Sequence, residues 1–562
     1  MSTSPSGGSL VFLAAVLLVA PGPLFAAGAP PRPNIVVILV DDMGFSDLGC
    51  YGGEIPTPNL DKLAAGGLRF TQFYNTARCC PTRAALLTGL YSHQAGVGHM
   101  VEDLGAPGYR GRLNDRCVTI AEVLQAAGYF TAMTGKWHVG QNFGVVPWGR
   151  GFQRSLEAPE GRYYYWDGEK AEVFLNGRHL ANDDPALPRG WYTTDLWTDY
   201  GIKFIDEALA AKKPFFLYLA HNAPHFPLQA PQDEIAKFRG RYKMGWDRLR
   251  LERHARQIEQ GIVERGWRLS PRPPAVRAWD SLSPAQQDRF DHIMAIYAAV
   301  VAHMDRSVGR FVDALRQRKV LDNTLMLFLS DNGANAESGP DGRLEGAVPG
   351  SARSVVFEGQ SWATLSNTPL RRYKHFDHEG GIATPLIVHW PRRIKTPGEL
   401  RKQPGHVVDI MATCVDVAGA AYPAEFRGKP ILPMEGRSLV PALDNRPVQP
   451  VALYWEHEGN AAIRAGDWKL VRLGRGGPWE LYDLKADRTE LDDLAAARPE
   501  VVRELAAKWD AWAERTQVKP YPEQGAQEPG KSQARGKGQA PSGQAGQLRI
   551  EHVAGSKPGT PP

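Results

Sequence analysis

The sequence predicts an α/β protein: a large mixed, mostly parallel sheet flanked by helices, followed by a smaller α+β unit with an antiparallel sheet. Three observations predict it. Short apolar runs stop abruptly at polar residues, helical segments alternate with those runs, and beyond Val451 the pattern changes to closely spaced short strands. Parallel strands are covered on both faces, so they read as continuous apolar stretches rather than as alternation.

Taken in order, Ile35 to Val40 is the first apolar run and ends at Asp41-Asp42. Leu60 to Ala65 has helical composition, and Ala84 to Leu90 continues from Cys79-Cys80-Pro81-Thr82-Arg83 as a helix. Pro81 suits the first turn of that helix, where its missing N–H costs nothing. Ile120 to Ala127 reads as a helix, and Tyr129 to Met133 as a strand leading into Gly135-Lys136-Trp137-His138. Phe215 to Ala220 leads into His221 and His225. Residues 242–287, charge-rich with several Trp, read as a helical insertion that is either a wall of a cleft or a solvated excursion. Tyr297 to Leu315 is a further helix, and Leu325 to Leu329 ends at Ser330-Asp331-Asn332-Gly333. Ligand crevices of open α/β sheets lie outside the carboxyl ends of the strands, so these polar segments are expected to converge there.

The main unit is expected over 30–445. Short strands at Ala452 to Trp455, Ala461 to Arg464, Trp468 to Arg472 and Trp479 to Tyr482, then a helix over Pro499 to Arg515, make a C-terminal unit over 446–521. Residues 522–562 are rich in Gly, Pro, Gln, Ser and Lys, lack an apolar period and read as a disordered tail. Residues 1–29 read as a signal peptide: the apolar run Leu10 to Ala20 is too short to span a bilayer and precedes small residues. The segment before that run carries no Lys or Arg, which leaves an uncleaved leader as the alternative. No cysteine stands near the cleavage region to carry a lipid anchor, so the expected location is exported, periplasmic or secreted, with no stable membrane anchor.

Composition narrows the function. With 43% hydrophobic and 23% charged residues the chain is globular, and 66 basic against 61 acidic residues, mixed along it, argue against a nucleic-acid partner. Five cysteines, few and widely spaced, make neither a disulfide scaffold nor a zinc site.

Cys79 falls at a helix N-terminus, where the dipole is positive, and Arg83 lies one turn on along the same face. An anion there meets backbone donors and a guanidinium together, although a buried cysteine beside an ordinary helix start gives the same letters. Asp41, Asp42, Asp331 and Asn332 offer hard oxygens, which suit calcium or magnesium. Singly, Asp-Asp also caps helices and Asn332-Gly333 also marks hairpins. Lys136, His138, His225 and Lys374 are further candidates, each of which alone passes for a structural residue.

Together, the Cys-x-Pro-x-Arg run with Thr88-Gly89, the Asp pairs, Gly-Lys-Trp-His, His225-Phe226-Pro227 and Lys374 before Glu379-Gly380-Gly381 resemble the sulfatase family from about Pro33 to Leu494. The layout is most similar to bacterial arylsulfatases. Family members commonly carry serine where this chain has Thr82, and a hydroxyl is retained. The resemblance implies an alkaline-phosphatase-like fold and hydrolysis of sulfate monoesters through a sulfated enzyme. By the same resemblance, Cys79 becomes formylglycine (3-oxoalanine) through a formylglycine-generating enzyme. Asp41, Asp42, Asp331 and Asn332, with the modified Cys79, look like ligands of a calcium ion, magnesium being the less favoured choice. Arg83 and Lys136 resemble the residues that hold the formylglycine and the sulfate oxygens. His138 resembles the base acting on the formylglycine hydrate, and His225 and Lys374 resemble the pair facing the leaving-group oxygen. The implied partner is a small-molecule or glycan sulfate ester. The alternatives are a phosphodiester or phosphonate monoester hydrolase of the same superfamily, and an idle sulfated-glycan binding protein. Trp246, His457 and Glu458 stand as outer-cleft or structural residues.

Overall fold

The computed structural model describes Met1 and residues 32–160, 164, 172–181, 183–448 and 451–522. The expected signal peptide and all but the first residue of the expected tail lie outside the described residues. No described helix is long and apolar enough to cross a membrane.

The strands at the centre of the main sheet form where the sequence is continuously apolar. β1 (Asn34–Val40), α1 (Pro58–Ala65), β2 (Leu68–Tyr74), α2 (Cys79–Thr88), α3 (Ile120–Ala126), β3 (Phe130–Lys136), β4 (Arg154–Ala158), the two-residue strands β5 (Phe174–Leu175) and β6 (Arg178–His179), α4 (Thr193–Ala210), β7 (Phe215–Ala220) and β8 (Thr324–Ser330) follow one another along the chain. β1 pairs in parallel with β7 on one side and β8 on the other, and β7 with β3, which pairs with β4. Beyond β8 the strand Ala383–His389 runs antiparallel to it, and β2 runs antiparallel to that strand in turn. The sheet is therefore mixed, with its parallel part at the centre. Two large apolar clusters pack on its faces, one built on Val36, Ile38 and Val40 and the other on Ile35, Val37 and Leu39, as the two-residue alternation of a strand requires.

Several expected bounds move outward. β3 runs on through Lys136, and the helix expected from Tyr297 spans Pro284–Gln317, opened by a Ser283–Gln286 capping box. α3 starts at its own capping box, Thr119 with Glu122. In the 242–287 segment the helix Gly245–Glu259 sends Arg253 inward to Asp47 (3.0 Å) and Glu54 (2.7 Å). Trp246 is buried there, edge-on to Trp279, Phe290 and Trp362, and its indole N–H donates to the Arg277 carbonyl. It is a core residue.

The C-terminal unit is a four-stranded antiparallel sheet, Leu453–His457, Asn460–Ala465, Trp468–Arg472 and Trp479–Asp483, with the helix Pro499–Arg515 packed on it. Its first turn, His457 to Asn460, points toward the main unit: the Asn460 side chain donates to the His375 carbonyl at 2.9 Å.

Candidate active site

Parallel register brings distant acids together. Val40 of β1 pairs with Ser330 of β8, so Asp41 and Asp331 leave the sheet side by side, and the Asp331 N–H donates to the Val40 carbonyl at 3.0 Å. Asp42 then turns back with φ of 67°, a left-handed conformation uncommon for a non-glycine residue. Its N–H donates to Asp331 Oδ1 at 3.3 Å. At the end of β3, Gly135 has φ of 103°, and a Cβ there would stand 1.8 Å from the Ala220 carbonyl oxygen. Only glycine fits, and it delivers Lys136 and then His138 to the same edge of the sheet.

α2 points its N-terminus at these groups. All ten of its residues are buried, and the residue before it, Arg78, is extended and makes no side-chain cap, so the donors of the first turn are left to whatever stands beside Cys79. Thr82, buried in that turn, accepts the Thr76 N–H at 3.0 Å, which ties the incoming loop to the helix. Cys79, Cys80 and His138 bring their ligand atoms within 4.8 Å of one another.

Charge is dense and paired. The Arg83 guanidinium donates to Asp331 Oδ2 at 2.7 Å, to Asp41 Oδ2 at 3.2 Å and to the Tyr218 hydroxyl at 3.3 Å. Lys136 Nζ lies 2.6 Å from Asp41 Oδ2. Lys374 Nζ lies 2.9 Å from Asp42 Oδ1 and 3.3 Å from Glu337 Oε2, and His225 Nε2 is 3.6 Å from Asp42 Oδ2. Burial opposes ionisation of Asp41, yet Lys136, His225 and Arg83 outweigh it and hold its carboxyl down at about 2. Asp331 goes the other way: burial, then repulsion from Asp41, pushes it well above the usual carboxylate range despite Arg83. Burial, followed by the charge of Lys136, lowers His138, so its imidazole is neutral near neutral pH. His225 is lowered by burial against the pull of Asp42 and Asp41. The Cys79 thiol is held well below its ordinary value by a hydrogen bond with Cys80 and by Lys136 and His138, against burial.

Two oxygens in this cluster are buried without a hydrogen-bond partner, Asp41 Oδ1 and Asn332 Oδ1. An unpartnered buried acceptor is costly, by about 1–3 kcal/mol each, and both are hard donors on residues that adjoin Asp42 and Asp331, the Asn332 amide donating to Asp42 Oδ1 at 2.7 Å. That set fits a calcium- or magnesium-type cation, which would also bring Asp331 back to its ionised form.

A family model described as Sulfatase matches residues 33–420. The chain belongs to the sulfatase family. A second model, described as N-sulphoglucosamine sulphohydrolase, C-terminal, matches residues 372–514 of the sulfatase. An arylsulfatase of Klebsiella aerogenes is 36% identical over 444 residues, covering 76% of this chain and 95% of that protein. An uncharacterised sulfatase of Schizosaccharomyces pombe is 35% identical over 535 residues, covering 88% and 95%. Among solved structures, that of Ps i-CgsB, also determined in complex with k-i-k-neocarrahexaose, superposes with a TM-score of 0.63 at 26% identity, covering 87% of this chain and 98% of that one. The sulfatase is thus a sulfuric ester hydrolase with an alkaline-phosphatase-like fold.

In this sulfatase Asp41, Asp42, Cys79, Arg83, Lys136, His138, His225, Asp331, Asn332 and Lys374 are all buried at the carboxyl edge of the sheet or in loops beside it. Sequence reading passed over four neighbours. Asn335 donates to Asp42 Oδ2 at 2.7 Å, and Glu337 receives Arg78 at 2.7 Å, His375 at 2.8 Å and Lys374. Asn335 and Glu337 lie in a short polar loop after β8, where no spacing sets them apart. Arg78 and His375 each adjoin a residue that was singled out, Cys79 and Lys374, which was the one available signal.

Proposed function

We propose that this protein hydrolyses sulfate monoesters, aryl sulfates among them, with residue 79 matured to formylglycine and a calcium ion held by Asp41, Asp42, Asp331, Asn332 and the modified residue. The observation that supports this reading most is the meeting of Cys79, at an uncapped helix start, with Arg83, Lys136 and His138 beside two orphaned hard oxygens. The identity to an arylsulfatase supports the aryl leaving group.

Three aspartates and three cationic side chains nearly cancel, so a bound divalent ion leaves the pocket at about +2 with both histidines neutral, which attracts a sulfate ester. Hydrated formylglycine would supply two geminal hydroxyls: one would attack sulfur, its proton balancing the one given to the leaving oxygen, and deprotonation of the other would re-form the aldehyde as the C–O bond to sulfate breaks. Arg83 and Lys136 orient those hydroxyls and the sulfate oxygens. As the bond from sulfur to the alkoxide or phenoxide oxygen breaks, His225 and Lys374 face the negative charge growing on that oxygen, and Lys374, which carries a proton in this charge state, passes it one. His138, neutral and within reach of residue 79, takes the proton of the second hydroxyl.

The test is a peptide mass spectrum across residue 79 from a host equipped for the modification, together with turnover on an aryl sulfate and an aryl phosphodiester. Formylglycine with preference for the sulfate is expected. Unmodified cysteine in active enzyme removes the proposed nucleophile, and preference for the phosphodiester moves the chain to the other branch of the superfamily.

A further inference from the structure

Outside the cluster just described, a second group of metal-binding side chains has no assigned task. His375, on the loop after Lys374, faces His457 and Glu458 in the first turn of the C-terminal sheet, with ligand atoms all within 4.8 Å of one another. His375 Nδ1 is 2.9 Å and His457 Nε2 3.6 Å from the two oxygens of Glu458. Atoms bound to one zinc-sized ion at about 2.0–2.2 Å lie up to about 4 Å apart, so this set closes on an ion with small side-chain rotations.

The independent observation is His457. It is fully buried, and neither of its ring nitrogens has a hydrogen-bond partner. A histidine is given such a place at a cost of about 1–3 kcal/mol for each unsatisfied nitrogen, unless something bonds it. Protonation is a poor remedy, because burial holds its imidazole well below the ordinary value even with Glu458 alongside. A neutral imidazole nitrogen with a carboxylate beside it is what a metal ion takes. Glu458 and Gly459, with φ of 52° and 86°, form the two-residue hairpin turn that places Glu458 directly after His457. His99 stacks on His457 at 5.8 Å and reaches Glu458 Oε1 at 3.3 Å, placing a further imidazole at the edge of the set. Arg78 also lies against His375, closest to Nε2, where its charge is paired with Glu337, so Glu458 is engaged by histidines alone.

We infer that His375, His457 and Glu458 form a second cation site, for a first-row transition ion of the zinc class, which ties the Lys374 loop to the C-terminal sheet. Two imidazoles and one carboxylate suit such an ion and disfavour calcium, whose preferred donors are all oxygen, so the two sites sort their cations by chemistry. The inference does not depend on what residue 79 becomes.

The test uses the full chain, stripped with a chelator, reloaded with Ca2+ and titrated with Co2+ and then Zn2+ while spectra and thermal melting are followed. One Co2+ per chain is expected, displaced by Zn2+, with a visible spectrum lacking thiolate charge transfer and with a rise in Tm on loading. His457→Ala and Glu458→Gln should each weaken binding at least about 100-fold, while Cys79→Ser leaves it intact. Glu458→Gln keeps size and hydrogen bonding, so it serves if His457→Ala fails to fold. Absence of a transition-metal site in the Ca2+-loaded chain overturns the inference and leaves His99 and His375 as simple ion-pair or hydrogen-bond partners of Glu458. Binding that survives Glu458→Gln, or that shows thiolate charge transfer abolished by Cys79→Ser, assigns the ion to another place and also overturns it.

Discussion

Two buried charge networks divide the molecule, and they differ in how the charge of their acids is answered. Between the main sheet and the C-terminal sheet, Glu379 receives Lys469 at 3.0 Å on one oxygen, and Arg488 at 2.8 Å and the Tyr74 hydroxyl at 3.0 Å on the other. Lys469 also reaches Glu490 at 2.8 Å, and Arg464 donates to the Tyr74 oxygen at 2.6 Å. Despite burial, Lys469 and Arg488 hold the Glu379 carboxyl down at about 2. At the sheet edge, by contrast, Asp41 and Asn332 keep an oxygen each without a partner, and Asp331 is pushed upward. Acids matched by cations hold two sheets together, whereas two acids set against each other have a charge that a bound cation would offset. Neither burial nor a tally of orphaned atoms tells the two apart, since Arg488 Nη2 also lacks a hydrogen-bond partner; the difference is that Glu379 faces Lys469, Arg488 and Arg464, whereas Asp331 also faces Asp41.

The sharpest way to break this contrast is Cys79→Ser. Turnover per folded molecule should fall at least about 10³-fold while the melting temperature stays near wild type, since only the sheet-edge network loses a function. Steady-state kinetics with thermal melting checks it, and near-normal turnover would refute the role. Lys469→Met should do the opposite, costing about 3–5 kcal/mol of stability by stranding Glu379 and Glu490, with the rate per folded molecule little changed. Urea unfolding measures it, and a loss below about 1 kcal/mol would mean that the interface network is dispensable. Lys374→Ala should lower kcat about 10²-fold, with a smaller penalty for substrates whose leaving group is already acidic. A penalty equal across leaving groups argues against a place beside the departing oxygen. The smallest effect concerns pH. The proposed mechanism requires a neutral His138, and burial and Lys136 set its pKa below 6.5, so activity should persist down through that value and fall only at lower pH. An acid limb of kcat/KM centred above 6.5 contradicts the assignment.

The parallel centre of the sheet was legible because each strand is buried on both faces and stops at a residue that cannot be buried unpaired; Val40-Asp41 and Ser330-Asp331 mark those ends without any structure. β2, with its Arg69 and Gln72, and the strand Ala383–His389, interrupted by Pro385, lack that plain signal and went unnoticed. Cys79 and Arg83 were readable as one helix face, while Arg78, Asn335, Glu337 and His375 gain their places only through partners far along the chain, which no local spacing encodes. Trp246 looked able to serve a cleft because an isolated tryptophan in a charged segment carries no sign of what surrounds it. The fold supplied three aromatic neighbours and buried it.

Cys79 is 1% exposed, on a helix with no residue at the surface. The wall over it includes Asp331 and Lys374, about 250 to 300 residues downstream, so any enzyme that alters this side chain works against a clock. At ordinary rates of synthesis that interval lasts roughly 10–60 s, after which the substrate of the modifying enzyme has folded itself out of reach.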